Sequence, residues 1–137
     1  MNIQKSIGFS LIELMIAVVI IAIILAIAMP SYTQHVVAAR RAEAQSGLMS
    51  LATKMERYFV EHNSYKGATL ENIGIKEKTE NNFYLLKIAK ATDSSYQLEA
   101  IPQDAQAKQD KKCGALSLNA QGVKGDTGTG IAADCWM

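Results

Sequence analysis

Gly8-Phe9-Ser10-Leu11-Ile12-Glu13-Leu14-Met15 opens the most apolar stretch of this 137-residue chain, and from Leu14 to Met29 no polar side chain follows. Phe9 to Met29 spans 21 residues, which as a helix at ~1.5 Å each reach roughly 31 Å, about the thickness of a bilayer's hydrocarbon core. Glu13 is the anomaly. A carboxylate in such a run costs about 2.5 to 3.5 kcal/mol at a membrane centre, and less near the edge, unless a specific partner neutralises it.

Working outward, the hydrophobic fraction of 49% is concentrated in this one segment, which leaves a soluble domain of about 105 residues from Ser31 onward, enough for a modest core. The formal charge is +1, too small for strong nonspecific attraction to nucleic acid or anionic lipid. Loss of residues 1–8 would take Lys5 away and leave 14 − 1 = 13 basic against 13 acidic side chains, a balance that favours self-association. Cys113 and Cys135 are the only cysteines and lie beyond the apolar segment. Two thiols are too few for a structural zinc site and are not arranged as Cys-x-x-Cys, so a disulfide in an oxidising compartment is the preferred reading. Such a bridge is worth ~3 kcal/mol in the chain-entropy model.

Three readings of the N-terminus compete. A secretory signal peptide is served by Lys5, the apolar run to Leu25 and Ala26-Ile27-Ala28 as a cleavage site. A plain membrane anchor needs only the apolar length. Neither accounts for Glu13.

Gly8 to Met15, followed by an unbroken apolar run and Pro30-Ser31-Tyr32, resembles the type IV pilin signature. The ending Asp134-Cys135-Trp136 is similar to PilE-type minor pilins within that family. The resemblance implies a leader of residues 1–8, cut at Gly8-Phe9 by a prepilin peptidase that also N-methylates Phe9. Residues 9–30 would then be the transmembrane and assembly helix, with a kink at Pro30, and residues 31–137 the globular pilin domain. Physics agrees with the cleavage motif, since glycine lets the chain lie close to an enzyme's backbone. Cutting would also create a cationic amine four residues from Glu13. In the family this glutamate neutralises the terminal amine of a neighbouring subunit or its own, and slipped packing would strand a buried charge. Where many pilins carry a mid-helix glycine this chain has Ala22, so less melting is expected before Pro30.

From Gln34 to about His62 the pattern is helical. Leu48, Leu51, Ala52, Met55, Phe59 and His62 form an apolar stripe, read as core, while Arg41, Glu43, Ser46, Ser50, Lys54, Glu56, Arg57 and Glu61 occupy the other faces. Asn63 tolerates a left-handed cap. Residues 65–82 read as a structured loop, and strands are expected at 83–90, 96–102 and 114–121, with a turn at Asp93-Ser94-Ser95. Tyr96, Leu98, Ala100, Leu116 and Leu118 should face the core. The fold class expected is α+β: a long N-terminal helix packed on an antiparallel sheet of three to four strands. The glycine-rich segment from Gly122 to Gly130 reads as a loop held by the cysteines and as a partner-contact surface.

No enzyme is indicated. Asp126-Thr127-Gly128 matches a protease triplet but occurs once, in a glycine-rich tail, where such enzymes need a buried pair of aspartates sharing a proton, and the glycines around it lack a phosphate-binding context. His35 and His62 stand alone, so no metal site, catalytic residue or cofactor is expected. Lys108, Lys111 and Lys112 are basic enough to touch DNA, but Asp104 and Asp110 interleave them and no aromatic lies among them, so a solvated loop is preferred. The expected function is a structural subunit, major or minor, of a type IV pilus filament that supports motility, adhesion or DNA uptake. Its partners would be other pilin subunits, the prepilin peptidase and methyltransferase, and the inner-membrane assembly machinery. Before assembly it would be single-pass in the inner membrane with its N-terminus cytoplasmic, and afterwards extracellular. The alternatives are a pseudopilin of a type II secretion system and a secreted binding domain released after Ala28.

Overall fold

The computed structural model describes residues 8–136. Helix α1 runs from Leu11 to His62 without a break, Pro30 included. Strands β1 (Tyr84–Ala91) and β2 (Tyr96–Pro102) follow, then helix α2 (Asp104–Gln109), β3 (Leu116–Asn119), β4 (Lys124–Asp126) and a short helix α3 (Ala132–Cys135). The chain divides into two units after Val36. In the first, all residues from Gly8 to His35 are exposed, as one apolar segment long enough to cross a membrane.

In the second unit the 37–62 part of α1 lies against an antiparallel sheet of order β1-β2-β3-β4. Leu48, Leu51 and Met55 recur at three- and four-residue steps, so they share the face turned to the sheet, and all three are fully buried. Burying each contributes about 1.5 to 3 kcal/mol. Tyr84 and Leu86 from β1, Tyr96, Leu98 and Ala100 from β2, and Leu116 and Leu118 from β3 supply the other half of the core, as period-two alternation requires. Gly47 explains the close approach: a Cβ there would stand 3.2 Å from the Leu86 side chain.

His62 ends α1, and Asn63 follows with φ 55°, the left-handed cap expected of it. Thr92 closes the β1-β2 hairpin, donating its hydroxyl to the Ser95 carbonyl and its amide to the same oxygen. The strands fall where the alternation placed them, within one or two residues. The segment 122–130 departs from expectation, because Lys124–Asp126 forms a fourth strand paired with β3. Its backbone, Gly125 included, finds a ladder that the apolar pattern does not announce, since only three residues take part. Helices α2 and α3 also stand outside the expected elements; both are too short for a periodic signature.

Candidate functional site

The first turn of α1 begins at the backbone of Ser10, whose carbonyl accepts the amides of Glu13 (3.1 Å) and Leu14 (3.2 Å). Gly8 and Phe9 precede the helix; Phe9 is 81% exposed, and nothing lies within 4 Å of where a Gly8 side chain would be. The bond expected to be cut is therefore open on the Phe9 side, while residues 1–7 of the expected leader lie outside the described residues. Glu13 sits in the helix's first turn, where the helix dipole favours an anion. It has no ion-pair partner among the described residues. Leu11, Ile12, Leu14 and Met15 around it are all exposed, so a lone carboxylate is set in an apolar surface.

At the other end of the chain Cys113 and Cys135 are joined in a disulfide and both are buried. The bridge draws three distant features together. Lys112 Nζ is 3.2 Å from Asp134 Oδ2; Trp136 donates its indole N–H to the Gly125 carbonyl at 3.0 Å; and Lys124 Nζ stands 5.3 Å above the Trp136 ring. Gly128 is required here by space, because a Cβ at that position would overlap the Lys112 carbonyl. Asp126 and Thr127 serve the turn: Asp126 Oδ1 accepts the Gly128 amide, and Thr127 Oγ1 accepts the Ala115 amide. The protease-like triplet is thus consumed by backbone hydrogen bonds.

Between these ends α2 is clasped to α1 by polar groups, among them Arg41, which helical periodicity had assigned to an outer face, and Asp110, which had been read as part of a solvated loop. Arg41 is bidentate on Asp110, with Nε and Nη2 each 2.9 Å from a carboxylate oxygen, and the side chains are only 11% and 1% exposed. That corrects the expectation for both residues. Gln106, fully buried, donates its amide to the Val37 carbonyl (3.2 Å) and the Tyr84 hydroxyl (2.9 Å). Arg40 reaches Gln109 and lies 4.0 Å over the Phe83 ring. Burial, together with the nearby Asp110 carboxylate, pushes the Tyr84 hydroxyl up to about 12, against the opposing effects of Gln106 and Arg41.

Two other α1 carboxylates are likewise engaged. Both oxygens of Glu43 accept from Asn81, amide and side chain. Burial alone would raise this carboxyl, but these hydrogen bonds outweigh it and the group is held below its ordinary range. Glu56 accepts the hydroxyls of Tyr65 and Tyr96; burial first, then that carboxylate, pushes both tyrosines upward. No signal in the sequence pairs Glu43 with Asn81, Glu56 with Tyr96 or Arg41 with Asp110, 38, 40 and 69 positions apart, so these contacts escape a reading by periodicity. His35 and His62 are both exposed, and His62 stacks on Tyr58 at 4.0 Å. Among the described residues no group of His, Cys, Asp or Glu is suited to a metal.

Lys108, Lys111 and Lys112 are all exposed. Of the two aspartates that interleave them in sequence, Asp110 is turned inward to Arg41 and only Asp104 remains on the surface.

Residues 30–117 match the family model described as type IV minor pilin ComP, DNA uptake sequence receptor, and residues 3–29 match the prokaryotic N-terminal methylation motif. Over 76 residues the chain is 37% identical to the type IV major pilin protein PilA of Myxococcus xanthus, a match covering 56% of this chain and 34% of that protein. The chain thus spans about a third of the length of this curated relative. The crystal structure of the non-core minor pilin PilV of Neisseria meningitidis aligns with a TM-score of 0.55 at 22% identity, covering 69% of this chain and 89% of that one, a likeness of fold. A type IV pilin from Shewanella oneidensis aligns at a TM-score of 0.47 with 23% identity, over 64% and 89% of the two chains.

Proposed function

Because this chain belongs to the type IV pilin family, with the minor-pilin model matching residues 30–117, we propose that it enters a pilus filament through α1 after cleavage at Gly8-Phe9 and N-methylation of Phe9. The observation that carries this reading is Glu13, a carboxylate at the head of an exposed apolar helix with no ion-pair partner among the described residues. A surface of that kind is stable in a membrane or against other apolar helices. The amine released by cleavage, from its own chain or a neighbour, supplies the missing cation. In this scheme the chain is held in the inner membrane by the same helix before assembly, and its partners are other pilins, the prepilin peptidase and the assembly machinery. The family is structural, and we assign the chain no catalytic role.

The test combines two measurements. Intact mass and N-terminal sequencing of the mature chain should show a start at methylated Phe9; a start at Met29 overturns the reading. For Glu13→Ala, cleavage should persist while incorporation into sheared filaments falls about tenfold or more, the effect of a charge left unpaired. Normal incorporation would refute the charge pairing.

A second reading concerns DNA, and two observations favour it. The matching family is described as a DNA uptake sequence receptor, and the inward turn of Asp110 removes one of the two acids that had argued against the lysine cluster. We infer that Lys108, Lys111 and Lys112 contact duplex phosphates. Binding of a mixed-sequence duplex to the full chain in detergent should weaken as salt rises from about 50 to 200 mM. Lys108→Ala and Lys111→Ala should each weaken it further; a duplex affinity untouched by both removes this face from consideration.

A further inference from the structure

The charge around the lysine cluster differs between the chain and the folded molecule. Along the chain, Asp104 and Asp110 are its nearest acids. In the fold Asp110 is spent on Arg41 and is 1% exposed, while Asp134, 22 positions beyond Lys112, arrives from α3 because the disulfide holds Cys135 beside Cys113. Its Oδ2 is 3.2 Å from Lys112 Nζ, and the two side chains are 60% and 51% exposed. Lys108 and Lys111 have no ion-pair partner among the described residues. The backbone beneath is fixed: the Lys112 carbonyl accepts the Gly130 amide at 2.7 Å and the Lys111 carbonyl accepts the Thr129 amide at 3.3 Å. The backbone of Lys112 is therefore anchored, while its exposed side chain is free to change partners.

We propose that Asp134 is an internal counter-anion on Lys112 which a nucleic-acid phosphate must displace, and that it holds down the affinity of this face for DNA. The proposal rests on the DNA reading above. An exposed lysine-aspartate pair is weak enough to open for a competing anion. A phosphate offers the same lysine a stronger charge-assisted acceptor. While Asp134 remains close, however, it also repels the incoming phosphate, so its charge opposes binding even after the lysine has swung away. The arrangement sets the cluster between nonspecific tight binding and none, a useful range for a surface that must let its ligand go.

The test measures the affinity of the full chain, in detergent micelles, for a short mixed-sequence duplex across a salt series, with fluorescence anisotropy as readout. Asp134→Asn should tighten binding about three- to fivefold near physiological salt, and steepen the dependence of log affinity on log salt by up to about 0.9, the value of one phosphate contact. In a Lys112→Ala background the same change should give less than about a twofold gain. Unchanged affinity and slope for Asp134→Asn, in a protein whose binding is weakened by Lys108→Ala and Lys111→Ala, would overturn this proposal and leave the DNA reading standing. No duplex binding by the unaltered chain would sink both. A lowered melting temperature for Asp134→Asn with unaltered DNA affinity would make the pair a fastener for α3 and nothing more.

Discussion

Asp110→Ala tests what holds α2 to the first turns of α1 in the globular unit. The substitution leaves the Arg41 guanidinium, 11% exposed, without either of its 2.9 Å carboxylate contacts, and it removes an acceptor 3.3 Å from Gln106. Removing one member of a buried pair costs about 3 to 5 kcal/mol, chiefly because the remaining charge stays desolvated. The unit from Val37 onward is 101 residues long, a size at which 1 kcal/mol shifts the melting temperature by about 4 to 8 °C. A loss of at least about 12 °C is expected. Trp136 is the only tryptophan and is nearly buried, so its fluorescence follows this unit while the apolar half of α1 stays in detergent. The double change Arg41→Met with Asp110→Leu should recover most of the loss, because apolar groups of similar volume carry no desolvation penalty. If Asp110→Ala costs less than about 1 kcal/mol, the range of a surface pair, or if the double variant is no more stable than the single one, the clasp contributes nothing particular.

Tyr84 gives a prediction in pH. Its hydroxyl ionises near 10 in the unfolded chain and at about 12 in the fold, so the stability it contributes is complete below pH 10 and is lost as pH rises towards 12; Tyr84→Phe should flatten that alkaline decline in a urea series. Gly128→Ala should be destabilising by about 1 to 3 kcal/mol in the same assay, because its methyl group overlaps the Lys112 carbonyl; an unaltered midpoint would show that the segment yields at no cost.

Much of the architecture was legible where a residue's neighbours in space are set by its neighbours in sequence. Leu48, Leu51 and Met55 declare their shared face through helical spacing, and Tyr96, Leu98 and Ala100 through alternation. Glu13 was legible for a different reason, since a charge in an apolar run stands out without any partner being known. Arg41 shows where such reasoning stops. On a helix wheel it belongs to the polar side, and only the arrival of α2, 69 residues later, makes that side an interior one. Strand β4 and helices α2 and α3 are three, six and four residues long, too short to show a period, and their positions are decided by the Arg41–Asp110 clasp, the disulfide and backbone partners.

The clasp and the C-terminal bridge also order events in time. Val37, Arg41 and Gln45 find their partners at Gln106, Asp110 and Cys135, between 69 and 90 positions downstream. While the chain is being synthesised, that stretch of α1 has nothing to close upon, and contacts so far apart in sequence form late compared with the local β1-β2 hairpin. The globular unit therefore cannot lock until residues near 135 have reached the same compartment. The bond between Cys113 and Cys135 closes only on a chain from which residue 135 has emerged, and a chain halted before that point presents an open, protease-sensitive helix in place of a finished fold.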